Sequence, residues 1–109
     1  MSFIEEDLIK SAVKGLNRVM ILWILSRGSL SGYRIIKEME KLTERSFNSG
    51  MIYPLLYDLE EEGLIAGKWA QKGRRIIKYY SITEEGSNAL KNIYDLLRKT
   101  REIILDFLK

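Results

Sequence analysis

Cysteine and histidine are absent from the 109-residue sequence, and there is a single proline. Without cysteine there can be no disulfide, thiolate zinc site or cysteine nucleophile. Without histidine there is no imidazole base and no imidazole metal ligand. We therefore predict a protein that holds no cofactor and no metal.

Long apolar stretches are also missing. The longest run, Val19 to Leu25, has seven residues, whereas a membrane-spanning helix needs roughly 20. Acids at Glu5, Glu6 and Asp7 stand where a signal peptide carries bases. We expect a soluble, cytoplasmic protein that does not interact with membranes.

Acidic and basic residues are separated along the chain, although the net charge is only +3. Asp58 and the three acids at 60–62 form an acidic block. Paired carboxylates can indicate an enzyme or a metal site, but on a helix these side chains point in several directions. A solvated helix face explains them, so we predict no enzymatic activity. Residues 64–82, in contrast, carry five bases and no acid, which indicates an anionic partner.

Apolar periodicity and capping residues define the helices. Spacings of three and four from Leu8 to Trp23 predict a first helix over 4–26, with Gly15 as a candidate break. Ser31 is the expected N-cap of a second helix that ends near Thr43.

A third helix is predicted from Asn48 or Ser49 to about Glu62. Pro54 lies awkwardly within it, so regular helix should begin later or its start should be bent.

A β-hairpin with its turn at 72–74 follows, and then a final helix runs from a Thr83 cap to about Leu108. The fold class is mostly α with minor β, a winged helix-turn-helix of order α-α-α-β-β-α. We assign residues 1–82 to the DNA-binding part and 83–109 to a C-terminal dimerisation helix within one structural domain.

The third helix, 49–62, and the basic wing, 71–78, are the predicted DNA contacts. In helix-turn-helix proteins the second helix enters the major groove with its N-terminus leading, and a cationic wing can contact phosphates. Tyr33 and Arg34 could reach phosphates as well, although Tyr33 could instead be a core residue. The predicted DNA-binding residues are Tyr33, Arg34, Asn48, Ser49, Gly50, Met51, Tyr53, Lys72, Arg74, Arg75 and Lys78.

The last helix has an apolar face too broad for its own domain to cover, which predicts a homodimer through this helix and the first. The predicted interface residues are Leu8, Leu16, Trp23, Leu90, Tyr94, Leu97, Arg101, Ile104 and Leu108. Two reading helices related by a two-fold axis would address pseudo-palindromic double-stranded DNA.

Three segments in order resemble the PadR family of transcriptional regulators. Residues 25–35 (LSRGSLSGYRI), 52–65 (IYPLLYDLEEEGLI) and 74–86 (RRIIKYYSITEEG) are similar to its patterns LLSxGPxxGYEI, TIYPLLxRLExEGLI and GRxRKYYxLTxxG. The length resembles the short branch of the family, with one C-terminal helix. Met51 replaces the usual threonine and Ser29 the usual proline.

The resemblance implies a homodimeric winged-helix repressor with DNA reading by the third helix and a basic wing. It also places proline at position 54 near the start of that helix. Some short members are similar in having an apolar space between subunits that takes flat aromatic effectors. Here Trp23, Tyr94 and Leu97 would line it, although packed interface core is the favoured interpretation.

A different function, a winged-helix protein–protein interaction module of the transcription machinery, stays open as an alternative. It predicts an acidic or apolar wing, which five bases without an acid do not favour.

Overall fold

A computed structural model describes residues 2–109. Its elements are, in chain order, α1 (Phe3–Leu25), β1 (Leu30–Ser31), α2 (Gly32–Thr43), α3 (Ser49–Glu61), β2 (Ile65–Lys72), β3 (Arg75–Ile82) and α4 (Glu84–Phe107). The predicted fold class, a mostly α winged helix-turn-helix, is confirmed. The short strand β1 is an addition that the sequence analysis does not predict. Over residues 2–109, no helix is long and apolar enough to cross a membrane.

Side-chain oxygens cap the N-termini of all four helices. Ser31 accepts a hydrogen bond from the N–H of Arg34, and Thr83 from that of Gly86, so both predicted caps are confirmed. Such caps satisfy N–H groups that have no partner within the helix. Helix α1 passes through Gly15 without the break that the sequence allowed.

Helix α3 begins at Ser49, one residue after its N-cap Asn48, and includes Pro54 within its second turn. Proline at this position removes the hydrogen bond to the carbonyl of Gly50, one turn earlier. Pro54 and Gly50 are both exposed, and water can therefore bond the freed carbonyl. The proline is tolerated because it lies on the solvent side near the helix start.

The three strands form an antiparallel sheet of order β1-β3-β2. Lys72 pairs with Arg75, which leaves Gly73 and Arg74 as a two-residue loop at the tip of the hairpin. Gly73 has a φ of 65°, in the left-handed region that glycine adopts without a Cβ penalty. The long β2–β3 hairpin is the wing.

The core lies where α1, α2 and α3 meet the base of the wing. Its fully buried side chains are Ile21, Leu25, Ile35, Met39, Ile52, Leu56, Leu59 and Ile65. Leu90 of α4 belongs to the same cluster and is only 3% exposed. Its assignment to the dimer interface is therefore corrected, since a side chain already buried within one protomer has no surface left for a partner.

Helix α4 starts against the loop between α3 and β2. The Thr83 hydroxyl donates to the carbonyl of Gly63 at 2.6 Å, and the Thr83 N–H donates to that of Leu64 at 3.1 Å. A Cβ at Gly86 would overlap the Leu64 carbonyl oxygen. This close approach requires glycine and fixes the first turn of α4 against the root of the wing.

Gly86→Ala should lower the free energy of unfolding by about 1–3 kcal/mol, because the added methyl group forces backbone apart in a packed region. Gly15→Ala is the matched control: a Cβ there meets open space, and alanine should stabilise the helix by about 0.5–1 kcal/mol. Urea unfolding at equal protein concentration measures both. Equal effects of the two substitutions would contradict the packing of α4 on the wing root.

Candidate nucleic-acid interface

A hydrogen bond joins the turn between α2 and α3 to helix α2. Helix α2 ends at Thr43, and the next residue, Glu44, has a left-handed φ of 55°. The N–H of Phe47 donates to the Glu40 carboxylate at 2.9 Å, and this bond holds the pKa of Glu40 below its usual value. Because a hydrogen bond to a charged carboxylate is stronger than one between neutral groups, this contact stabilises the conformation of the turn.

The N-terminal half of α3 is uncharged and open. Asn48 caps the helix by accepting from the N–H of Met51 at 2.9 Å, and its neighbours Ser49, Gly50 and Met51 are exposed. Residues 48–57 contain no charged side chain. An uncharged, exposed helix N-terminus presents the positive end of the helix dipole, which favours an anion.

The exposed face of α3 extends further than the sequence analysis proposed. Tyr57 is exposed one turn beyond Tyr53, and Pro54 beside it is exposed as well. The sequence could have predicted that Tyr57 shares a helix face with Tyr53, because residues four positions apart are neighbours on a helix surface.

Gly32 allows α3 to lie close to the start of α2. A Cβ at this position would stand 2.7 Å from the hydroxyl oxygen of Tyr53, so the half-buried Tyr53 ring fills the space that the glycine leaves. Tyr33 next to it is 62% exposed, which excludes the alternative that it is a core residue. Arg34 is exposed on the same first turn of α2.

The wing has two unlike faces because side chains alternate along a strand. Lys68, Lys72 and Arg75 share the outer face with Tyr79, as the register of the two strands shows. Arg74 lies in the loop at the tip, and all four cations are exposed. The tip therefore concentrates positive charge where a phosphate backbone could reach it.

The inner face of the wing is partly apolar, which the sequence analysis missed. Trp69 and Ile76 are exposed there, toward α3. The strand pattern could have predicted this, because side chains alternate along a strand and residue 69 therefore lies on the same face as the buried Ile65.

An open cleft of about 690 Å³ separates the wing from α3 and the start of α2. We call it the wing cleft. It brings together Tyr33, Tyr53, Arg75 and Lys78 of the predicted contacts and adds Tyr57 and Trp69. The remaining predicted contacts are outside its lining: Arg34, Asn48, Ser49, Gly50, Met51, Lys72 and Arg74.

Lys78 differs from the other wing cations. Its ammonium group donates to Glu60 Oε1 at 2.8 Å, and this hydrogen bond is the main cause of the raised pKa of Lys78. Contact between Lys78 and DNA would therefore compete with an ion pair that the protein already makes.

Helices α1 and α4 expose the apolar residues predicted for the interface. Leu8, Leu16, Leu97 and Leu108 are exposed on them, as is Arg101, whereas Trp23, Tyr94 and Ile104 are half-buried. Further exposed apolar side chains accompany them on the same two helices: Phe3, Ile4, Ile9, Val13, Leu96, Ile103, Leu105 and Phe107.

The residues of the candidate effector pocket do not share one cavity within a protomer. Tyr94 lines a hollow of about 180 Å³ with Ser26 and Ser87. Leu97 lines a separate hollow of about 290 Å³ with Arg101 and Ile104. Trp23 packs against the core, with the guanidinium of Arg27 5.1 Å from its ring centre.

A tight helix-turn-helix followed by a cationic hairpin defines the protein as a winged helix. A family model described as the transcriptional regulator PadR-like family matches residues 21–92. This match covers more than half of the chain, and the protein therefore belongs to the PadR-like family of transcriptional regulators.

Individual relatives agree with this assignment. The chain is 38% identical over 76 residues to the transcriptional regulator YqjI of Escherichia coli K12, a match over 68% of this chain and 35% of the relative. It thus spans about a third of that relative's length.

Solved structures are similar over more of the chain. A PadR-like transcriptional regulator from Bacillus cereus has a TM-score of 0.79 and 27% identity, covering 91% of this chain and 97% of the other. Bacillus subtilis PadR in complex with operator DNA has a TM-score of 0.64 and 32% identity, covering 71% of this chain and 45% of the other.

The cap of α3 can be tested by stability alone. Asn48→Ala should lower the free energy of unfolding by about 1 kcal/mol, because the N–H of Met51 loses its acceptor. Asn48→Asp should leave stability nearly unchanged, since a carboxylate caps equally well. If chemical denaturation shows the same loss for both variants, the side chain of Asn48 does not cap α3.

Proposed function

We propose that this protein is a transcriptional repressor that binds pseudo-palindromic double-stranded DNA as a homodimer. The observation that carries the proposal is that the uncharged N-terminal half of α3 and a wing with an exposed cationic tip lie on two sides of one cleft, which Tyr53, Tyr57 and Arg75 help to line. The likeness to Bacillus subtilis PadR, which was solved with operator DNA, supports it.

Helix α3 is the proposed reader of the major groove. Ser49, Gly50 and Met51 lead, where small and apolar side chains can approach base edges and the thymine methyl group. Asn48 and Tyr53 contribute from positions that the cap and the contact with Gly32 fix. Because none of these residues is charged, their contacts depend on the base sequence more than on the phosphate charge.

The wing and the start of α2 are the proposed phosphate contacts. Lys72, Arg74 and Arg75 extend from the exposed end of the hairpin, while Tyr33 and Arg34 face the backbone from α2. These contacts position the protein and supply affinity that weakens with salt, without reading sequence. We assign Lys78 to supporting the wing, since Glu60 already holds its charge.

The homodimer rests on the apolar surfaces of α1 and α4. A helix of 24 residues is about 36 Å long at 1.5 Å per residue. Its C-terminal half exposes Leu97 and Phe107, and Leu108 directly after the helix is exposed as well. Monomers rarely leave such contiguous apolar surface in water. Two-fold pairing would cover both helices and set the reading helices about one DNA turn apart.

Trp23, Tyr94 and Leu97 are proposed as interface packing rather than as an aromatic effector site. Within one protomer, Tyr94 and Leu97 line separate hollows and Trp23 packs against the core, so the three side chains do not line a common cavity there.

Removal of the wing-tip charges, Arg74→Ala plus Arg75→Ala, should weaken binding to every duplex sequence. The slope of log affinity against log salt should become shallower by about 2, because two phosphate contacts no longer release counterions. Fluorescence anisotropy with a random-sequence duplex at several salt concentrations measures both quantities.

The control variant, Lys10→Ala plus Lys14→Ala, removes two exposed cations from α1. Its affinity and its salt slope should change much less than those of the wing variant. If the wing variant binds like the unmodified protein, the wing is not a phosphate contact. If the unmodified protein binds no duplex even at low salt, the alternative of a protein-contact module, to which exposed Trp69 and Ile76 are suited, replaces DNA binding.

Leu97→Glu should convert the homodimer into a monomer, because a carboxylate buried in the apolar interface would lose its hydration without a partner. Leu42→Glu is the control, since Leu42 of α2 is equally exposed (45% against 44% for Leu97) but lies outside α1 and α4. Analytical ultracentrifugation gives the mass of each variant. A monomeric unmodified protein would contradict the homodimer directly.

A further inference from the structure

Glu60 connects α3 to both strands of the wing. Its Oε2 accepts a hydrogen bond from the N–H of Gly67 on β2 at 3.1 Å. Its Oε1 accepts from the ammonium group of Lys78 on β3 at 2.8 Å. One carboxylate of the proposed reading helix therefore joins α3 to both strands of the hairpin, and we call this group the Glu60 clamp.

The clamp is partly shielded from water. The side chains of Lys78 and Glu60 are 20% and 30% exposed. Rings surround the ammonium group, with centres 5.8 Å away in Tyr57, 5.8 Å in Trp69 and 5.2 Å in Tyr80. Partial burial and cation–π contacts make such a pair stronger than an ion pair in open solvent.

Gly67 leaves the space that the clamp occupies. A Cβ at this position would overlap Cε of Lys78 and stand 2.9 Å from Glu60 Oε2. A larger residue would require the end of the Lys78 side chain to move from its present position beside the carboxylate. The backbone of β2 therefore accommodates the ion pair as well as donating to it.

An acid at this position is unfavourable by simple electrostatics. Glu60 places negative charge beside the wing cleft, where it repels phosphate and neutralises a wing cation. Its contacts indicate a benefit of a different kind, since they hold α3 and the wing at a fixed spacing.

We propose that Glu60 is a positioning residue for DNA binding: it sets the spacing between α3 and the wing so that both contact one duplex together. This inference rests on the proposed function. A preorganised pair of contacts binds more tightly than two elements that must be ordered on binding. The two views therefore predict opposite results when the charge of Glu60 is removed. The clamp predicts weaker DNA binding, and simple electrostatics predicts tighter DNA binding.

The test uses Glu60→Gln and a duplex that the unmodified protein selects from a random-sequence pool. The substitution should weaken binding about tenfold, the effect of losing roughly 1.4 kcal/mol of preorganisation. Glu61→Gln makes the same charge change on the adjacent, exposed residue of α3 and should bind as tightly as the unmodified protein or more tightly. Glu60→Gln binding equally or more tightly would overturn the proposal.

Glu60→Asp provides a second test that leaves the charge unchanged. The shorter aspartate side chain cannot reach both strands, so the clamp predicts weaker DNA binding. Simple electrostatics predicts unchanged binding, because the charge is the same. A circular dichroism melt verifies that each variant is folded.

A double-mutant cycle separates positioning from general destabilisation. If Glu60 acts through the wing, Glu60→Gln should have almost no further effect once Arg74 and Arg75 are replaced by alanine, and it should make the salt dependence shallower on its own. Fully additive effects would overturn the positioning role while leaving DNA binding intact. Absence of duplex binding by the unmodified protein would overturn both proposals.

Discussion

Apolar packing between α1, α2 and α3 is the interaction on which the rest of the structure depends. Ile21, Ile35 and Leu56 are fully buried at this junction, and burial of a side chain of this size contributes roughly 1.5–3 kcal/mol. Because the inner face of α3 is used in the core, its opposite face, with Met51 and Tyr57, has to remain in solvent. The core thus determines which residues of α3 are available to a partner.

The two ends of α3 differ in charge. The N-terminal end carries no charged side chain, and its free N–H groups and helix dipole favour an anion. The acids are confined to the C-terminal end, where Glu60 serves the wing rather than the solvent. The cations Lys72, Arg74 and Arg75 are concentrated at the tip of the wing, and of these three only Arg75 lines the wing cleft. The net charge of +3 therefore hides two different regions: a wing tip and a start of α3 that favour anions, and an acidic C-terminal end of α3.

Local signals predicted the fold well, and tertiary contacts account for what they missed. Caps such as Ser31 and Thr83 act within three residues, and the hairpin follows from its turn and strand pattern, so both are visible in sequence. Leu90 continues the apolar stripe of α4, and periodicity cannot tell whether that stripe meets its own core or a partner. In the sequence Lys78 resembles the other wing cations, because its ion-pair partner Glu60 lies 18 residues earlier and the pairing depends on the tertiary fold. Strand β1 exists only because β3 lies beside it.

The three segments that resemble the PadR family contact one another in the structure. Gly32 of the first segment accommodates Tyr53 of the second. Glu60 of the second holds Lys78 of the third, and the Leu64 carbonyl of the second lies against Gly86 of the third. These contacts fix the mutual placement of α2, α3, the wing and α4, whereas Asn48 to Gly50 precede the second pattern, and Met51 replaces its threonine. Within these segments the shared pattern therefore includes the contacts of a scaffold, whereas three of the proposed DNA-reading residues, Asn48, Ser49 and Gly50, lie before it.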